Sequence, residues 1–150
     1  MNDFPRFDLQ GRTALVTGAA HGLGNAIALA LAHAGADVAL GLRDPATGAD
    51  LADQIEGMGR RVVRLPMDVR DLDQVRAAVD ATVGQLGRLD ILVNNAGLGP
   101  ANPAEDVTEA DFDLTVDVNV KGTFFASQAA GRVIEQDFGH IVNLGSQARV

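Results

Sequence analysis

A chain of 150 residues, 47% of them hydrophobic, is one globular domain's worth of sequence with enough apolar side chains for a sizeable core. No apolar run approaches the ~18 residues of a membrane helix, the N-terminus MNDFPRFDLQGR lacks the basic-then-apolar layout of a secretory signal, and the absence of cysteine excludes a disulfide framework and thiolate metal sites. A formal net charge of −8 argues against nucleic acid or an anionic membrane as partner, no metal site is expected, and the composition fits the cytoplasm.

Residues 1–12 read as a lead-in, broken by Pro5 and Gly11, with Phe4, Phe7 and Leu9 as candidates to pack on the sheet. Thr13–Thr17 suits a short buried strand, and Gly18 ends it. Gly18, Gly22 and Gly24 then turn the chain into a helix from about Gly22 to Ala34, with Leu23, Ile27, Leu31 and small alanines inward and Gly35 as its stop. Asp37–Leu42 is a second strand. Arg43-Asp44-Pro45 opens a helix with Leu51, Ile55 and Met58 at apolar positions, ended by Gly57 and Gly59. Arg61–Pro66 is a third strand, and Met67-Asp68-Val69 leads into a helix starting near Asp71 with Leu72, Val75, Val79 and Leu86 at helical spacing. Asp90–Val93 is a fourth strand that runs into Asn94-Asn95-Ala96-Gly97. A loop from Leu98 to Val107 comes next. Thr108, with Asp111 three residues on, reads as the cap of a long helix extending to about Asp137, with Phe112, Val116, Phe124 and Val133 apolar. His140–Leu144 is a fifth strand, ended by Gly145-Ser146.

Five strands alternating with four helices imply an α/β fold, a doubly wound parallel sheet covered on both faces, for which right-handed crossovers favour the strand order 3-2-1-4-5. In such sheets ligands sit beyond the carboxyl ends of the strands where the order reverses, here between the first and fourth strands. The glycine turn and the Asn94–Gly97 turn both fall there. A helix beginning at such a turn offers bare N–H groups and a positive dipole end to a phosphate, and glycine keeps side chains out of the way. The glycine spacing, three residues and then one, is not G-x-G-x-x-G. By itself it is equally that of a tight ligand-free connection; the convergence of two loops favours a ligand.

Thr17-Gly18-Ala19-Ala20-His21-Gly22-Leu23-Gly24 resembles the T-G-x-x-x-G-x-G motif of the classical short-chain dehydrogenase/reductase family. Asn94-Asn95-Ala96-Gly97 is similar to that family's N-N-A-G, Asp68-Val69 to its adenine-binding pair, Asn119 to its helix asparagine and Ser146 to its catalytic serine, all in family order. The resemblance implies a Rossmann fold and a hydride transfer between a nicotinamide cofactor and a secondary alcohol or ketone. It implies that Gly18, Ala20, His21, Gly22, Leu23 and Gly24 cradle the pyrophosphate. Asp68 would accept from the adenine amino group, with the Val69 backbone beside it. Asn95, Ala96 and Gly97 would line the ribose and nicotinamide side, Ser146 would bond the substrate oxygen, and Asn119 would hold a water in a proton relay. The plain alternatives are a helix cap for Asp68, turn residues for Asn95 and Ser146, and for Asn119 a structural role with a backbone partner.

Leu42 stands where NAD-using relatives carry Asp, while Arg43 and His21 resemble the basic positions of NADP-using members. NADP is therefore expected over NAD, unless Arg43 is a solvated surface residue. The family's general acid/base is the tyrosine of Tyr-x-x-x-Lys, and this sequence has no tyrosine. The 150 residues thus read as a single domain, 1–150, cut before that segment and lacking the later strands, expected to bind dinucleotide poorly and to turn over nothing. The Leu98–Val107 loop, with Leu98 and Asn102, suits a polyol, a sugar or a hydroxy acid. Family members pair through the helix seen here at 111–137, implying a homodimer or homotetramer. Competing readings are a non-catalytic dinucleotide-binding module and, further off, a flavodoxin-like regulatory domain.

Overall fold

The computed structural model describes residues 7–99, 102–134 and 139–145. Its centre is β1, Thr13–Thr17, in which all five residues are buried. Alternate side chains leave opposite faces, as the pleat requires. Ala14 and Val16 join an apolar cluster with helix α1 (Gly22–His33) and helix α2 (Ala49–Gly57). Leu15 joins a second cluster with α3 (Leu72–Leu86) and, further along, α5 (Thr123–Gly131). A fully buried Leu or Val of this kind contributes about 2 kcal/mol.

β1 pairs in parallel with β2 (Asp37–Leu42) on one side and β4 (Ile91–Asn94) on the other; β3 (Val62–Pro66) and β5 (His140–Asn143) pair outside them. The order is 3-2-1-4-5, the order expected from right-handed crossovers. Strand and helix ends fall close to those expected from the sequence. Asp71 caps α3, accepting from the N–H groups of Asp73 at 3.0 Å and Gln74 at 3.2 Å. A 3-10 turn, Pro45–Gly48, precedes α2, with the Asp44 carboxylate accepting from Ala46 N–H at 2.9 Å.

Four expectations need correction. On α1 the small alanines Ala28 and Ala32 are buried as expected and Ile27 and Leu31 pack half-buried on the core, but Leu23 is 62% exposed and Gly24 takes the inner position beside it. Gly24, Ala28 and Ala32, small residues at a spacing of four, let the helix lie close to the sheet. The long helix expected to reach Asp137 is three segments: α4 (Glu109–Val116), a π-helical turn (Asp117–Gly122) and α5, which ends at Gly131. The Thr108–Asp111 capping box starts it as expected. Val118, Ala126, Ala129 and Ala130 are buried, and Phe112 in α4 and Phe124 in α5 point outward; the π turn shifts the helical phase of the residues that follow it. Past Gly131, Val133 N–H bonds Ala130 O in a tightened last turn, and Val133 packs on the core from there. Phe7 is 90% exposed; of the lead-in residues described, Leu9 is the one that packs. Finally β5, expected to be covered on both faces, is exposed along its length, being paired with β4 alone among the described residues.

Asp90 closes the amino edge of the sheet. Only 2% exposed, it accepts from Thr13 N–H at 2.9 Å, Arg12 Nη1 at 3.1 Å and Arg88 Nε at 2.8 Å.

Candidate functional site

The site lies at the opposite, carboxyl edge. β1 ends in Thr17, whose buried hydroxyl accepts from the N–H groups of Asn95 at 3.1 Å and Ala96 at 2.9 Å. Asn95 returns the contact, its Nδ2 donating to Thr17 O and Gly18 O, both at 3.0 Å. Two loops more than seventy residues apart in sequence are thereby clipped into one wall. Both amide hydrogens of Asn95 are taken by main chain, leaving Oδ1 for a ligand. Gly24 makes the clip possible: a Cβ there would collide with Asn95 Nδ2 and Gly18 O. Gly18 itself, at φ +65°, would set a Cβ 3.0 Å from Ala96 Cα.

Above this wall opens a cavity of about 800 Å³. At one end is the N-terminus of α1. His21 occupies the cap position without a side-chain hydrogen bond, and the first turn holds no acidic residue. The first N–H groups of a twelve-residue helix therefore carry no side-chain acceptor, and Gly18, Ala20, His21, Gly22 and Leu23 line the space in front of them. That arrangement suits an anionic group, with backbone donors and helix dipole acting together.

The far end is built by the strand ends of β2 and β3. Arg43, just past β2, is exposed and lines the cavity with no hydrogen bond or ion pair among the described residues. Asp68, past the neighbouring strand β3, lines the same end of the cavity. The structure disposes of the helix-cap alternative for Asp68, since Asp71 is the cap. Instead Asp68 holds Arg70: Oδ1 accepts from Arg70 N–H and Nε, both at 3.0 Å, and Oδ2 from Nη2 at 2.5 Å. The Arg70 hydrogen bond, against the opposing effect of burial and with smaller help from the Arg70 N–H and the charges of Arg70 and Arg43, holds the Asp68 carboxyl below the usual carboxylate range. Val69 lines the same space and packs on the π turn, where a Cβ at Gly122 would lie 2.8 Å from Val69 Cβ.

Asn119 has the backbone partner its structural alternative requires. Its Oδ1 accepts from Leu98 N–H at 2.9 Å and its Nδ2 donates to Leu98 O at 2.7 Å. The amide keeps one Oδ1 lone pair and one Nδ2 hydrogen for anything else. Ala96, Gly97 and Leu98 continue the cavity wall. Ser146 lies outside the described residues, as do Pro100 and Ala101 of the expected substrate loop. Three working residues are not evident from sequence. Thr17 reads there as a strand end and the first letter of the glycine motif, with no partner assigned, although a hydroxyl at a strand-to-glycine junction is a hydrogen-bond signal. Arg70 stands two residues past an aspartate, the spacing of an Asx turn. Asn94 Nδ2 donates to Ser127 Oγ at 2.9 Å and Asn143 Oδ1 at 2.8 Å, tying β4 to α5 and β5.

A doubly wound parallel sheet with a glycine-turn helix and a second loop closing one crevice at its switch point defines a nucleotide-binding α/β domain. The model of the short chain dehydrogenase family matches residues 12–150, and the chain belongs to that family. It is 46% identical over 144 residues to D-threitol dehydrogenase of Mycolicibacterium smegmatis, covering 95% of this chain and 55% of that protein. Among solved structures, a short chain dehydrogenase from Burkholderia cenocepacia in complex with NADP is 45% identical with a TM-score of 0.87, over 95% of this chain and 57% of the other. A 7α-hydroxysteroid dehydrogenase complexed with NADH and 7-oxo glycochenodeoxycholic acid is 32% identical with a TM-score of 0.87, over 94% and 55%. The chain thus spans little more than half the length of the relatives it matches.

Proposed function

We propose that the crevice binds a nicotinamide dinucleotide, NADP(H) in preference to NAD(H), and that the whole protein is an oxidoreductase acting between that cofactor and a secondary alcohol or its ketone. The observation that carries the reading is the clip of Thr17 and Asn95, which joins the glycine turn and the Asn95–Gly97 loop into one cavity wall. The residues present suit such a cofactor. The helix N-terminus from Gly22 to Gly24 meets the pyrophosphate with backbone N–H groups. Ala20, His21 and Arg43 surround the adenosine ribose, where the Arg43 fork matches a 2′-phosphate. Asp68 accepts from the adenine amino group beside Val69. Asn95 Oδ1, Ala96 and Gly97 flank the nicotinamide ribose. When bound, the nicotinamide supplies or accepts the hydride.

Ser146 bonds the substrate oxygen, and Asn119 positions a water with the amide capacity that Leu98 leaves it. The substrate is a small polyol, sugar or hydroxy acid bordered by Leu98 and Asn102; the similarity to a D-threitol dehydrogenase supports the polyol. The reading places the protein in the cytoplasm. The outward Phe112, Val120 and Phe124, each more than 60% exposed, support pairing of copies through the 111–137 segment as a homodimer or homotetramer. With no tyrosine in the sequence to transfer the proton, the 150 residues by themselves hold the cofactor weakly and turn over nothing, acting as a dinucleotide-binding module.

Titration of the chain and its Arg43→Ala variant with NADPH and NADH tests the assignment. Loss of a charged hydrogen-bond pair weakens NADPH about tenfold or more and leaves NADH nearly unchanged. Equal loss for both cofactors would remove Arg43 from the phosphate site.

A further inference from the structure

We infer that Arg70 sets the base specificity of the crevice: it fixes the Asp68 carboxylate so that one acceptor position remains, which selects a purine bearing an amino group over one bearing a carbonyl. The inference rests on the dinucleotide reading above. It starts from a count of hydrogens and lone pairs. An ionised carboxylate offers about four acceptor sites. Arg70 occupies three of them with three hydrogens: its N–H on Oδ1 at 3.0 Å, its Nε–H on Oδ1 at 3.0 Å with a longer contact to Oδ2 at 3.1 Å, and Nη2 on Oδ2. One acceptor position is left.

The pair is planar and two-pronged, so the carboxylate cannot turn without breaking both side-chain bonds. It sits on the cavity wall with Asp68 22% exposed and Arg70 46% exposed. The other charges acting on it are Arg43, past the neighbouring strand β2, and Asp117 on the π turn, which favour an ionised Asp68 and a cationic Arg70. A fixed, ionised, single-vacancy acceptor rewards a ligand N–H donor and repels a ligand carbonyl oxygen. Adenine presents an amino group where hypoxanthine presents a carbonyl with an N1–H beside it, and that N1–H is reached in place of the amino group only by a carboxylate free to turn. Without the guanidinium, Asp68 keeps one main-chain donor, turns freely and hydrates, and the distinction between the two bases fades.

Binding of NADPH and of its hypoxanthine analogue, deamino-NADPH, is measured by cofactor fluorescence for the chain, Arg70→Ala and Arg70→Lys. Both cofactors carry the same phosphates, so the lost positive charge weakens them alike and the ratio reports the orientation of Asp68. The unsubstituted chain is expected to prefer NADPH about tenfold, one charge-assisted hydrogen bond's worth. Arg70→Ala is expected to bring the ratio to about two. Arg70→Lys, which restores the charge without the planar fork, is expected to recover affinity for both and leave the ratio low. A ratio unchanged in Arg70→Ala would overturn the inference. So would tighter NADPH binding in that variant, which would make Arg70 a competitor for Asp68. No preference in the unsubstituted chain would also overturn it while leaving the dinucleotide site standing. Failure of the unsubstituted chain to bind either cofactor at millimolar concentration would overturn both.

Discussion

Replacing Gly24 by alanine tests the clip between the two loops without touching any ligand. A Cβ at that position collides with Asn95 Nδ2 and Gly18 O and lies 3.1 Å from the Gly18 carbonyl carbon. The Asn95 amide can swing aside, but Gly18 O is main chain at the end of a buried strand, so the start of α1 has to move outward as well. Overpacking of this kind costs about 2 kcal/mol. Weakening the two 3.0 Å bonds from Asn95 Nδ2 to Thr17 O and Gly18 O adds about 1 kcal/mol at a half-buried site. Alanine in a helix returns up to about 1 kcal/mol over glycine. The net expectation is a destabilisation of about 2 kcal/mol.

Urea unfolding followed by far-ultraviolet circular dichroism is the suitable assay, since the chain has no tryptophan or tyrosine to report by fluorescence. Gly84→Ala supplies the contrast. It lies within α3 with nothing inside 4 Å of its added Cβ, so the same substitution is expected to stabilise by about 0.5–1 kcal/mol. If Gly24→Ala is as stable as the parent, or the two variants shift alike, the close approach of α1 to the Asn95 loop is not what holds this edge together.

Thr17→Val removes the acceptor for Asn95 N–H and Ala96 N–H at a residue 1% exposed; a loss of about 2 kcal/mol is expected in the same unfolding assay, with faster amide exchange at residues 95 and 96. For Asp90, burial by itself would raise the pKa, but the hydrogen bonds from Arg88, Thr13 N–H and Arg12 outweigh it and hold the carboxyl below its ordinary value. Its contribution is therefore complete above the unfolded carboxylate range near pH ~4 and is lost as pH falls through the depressed folded value. Asp90→Asn is expected to cost about 2 kcal/mol at pH 7, and the gap from the parent is expected to close in acid; a gap constant from pH 7 to pH 3 in urea titrations would contradict the assignment.

The alternation of strands and helices, the strand order and the meeting of two distant loops were legible because buried strands and glycine turns are local signals. The strand order follows from the general handedness of crossovers. The helical phase past Val116 was not legible. One π turn moves every later side chain round the axis, and the close approach of Gly122 to Val69 within it joins residues more than fifty apart. On α1 the alanines were legible as inward, whereas Leu23 was misread because Gly24, which makes the close approach there, carries no hydrophobic signal. Asp68, Arg43 and the glycines were placed on the cavity wall by position. What their side chains bond was not legible: Asn119 spends half of its amide on Leu98, Asn95 both its amide hydrogens on Thr17 O and Gly18 O, and Asp68 most of its acceptors on Arg70. Residue type shows what a side chain is able to bond, and only three-dimensional neighbours show what it does bond.

The central claim is that two loops and two strand ends hold a single dinucleotide over one edge of the sheet. Its most direct test is an amide nuclear magnetic resonance titration of the chain with NADPH. The account predicts that the signals of residues 18–24, 43, 68–69 and 95–97 shift together along one binding curve. Shifts confined to one of these groups, or centred on the amino edge around Asp90, would contradict it.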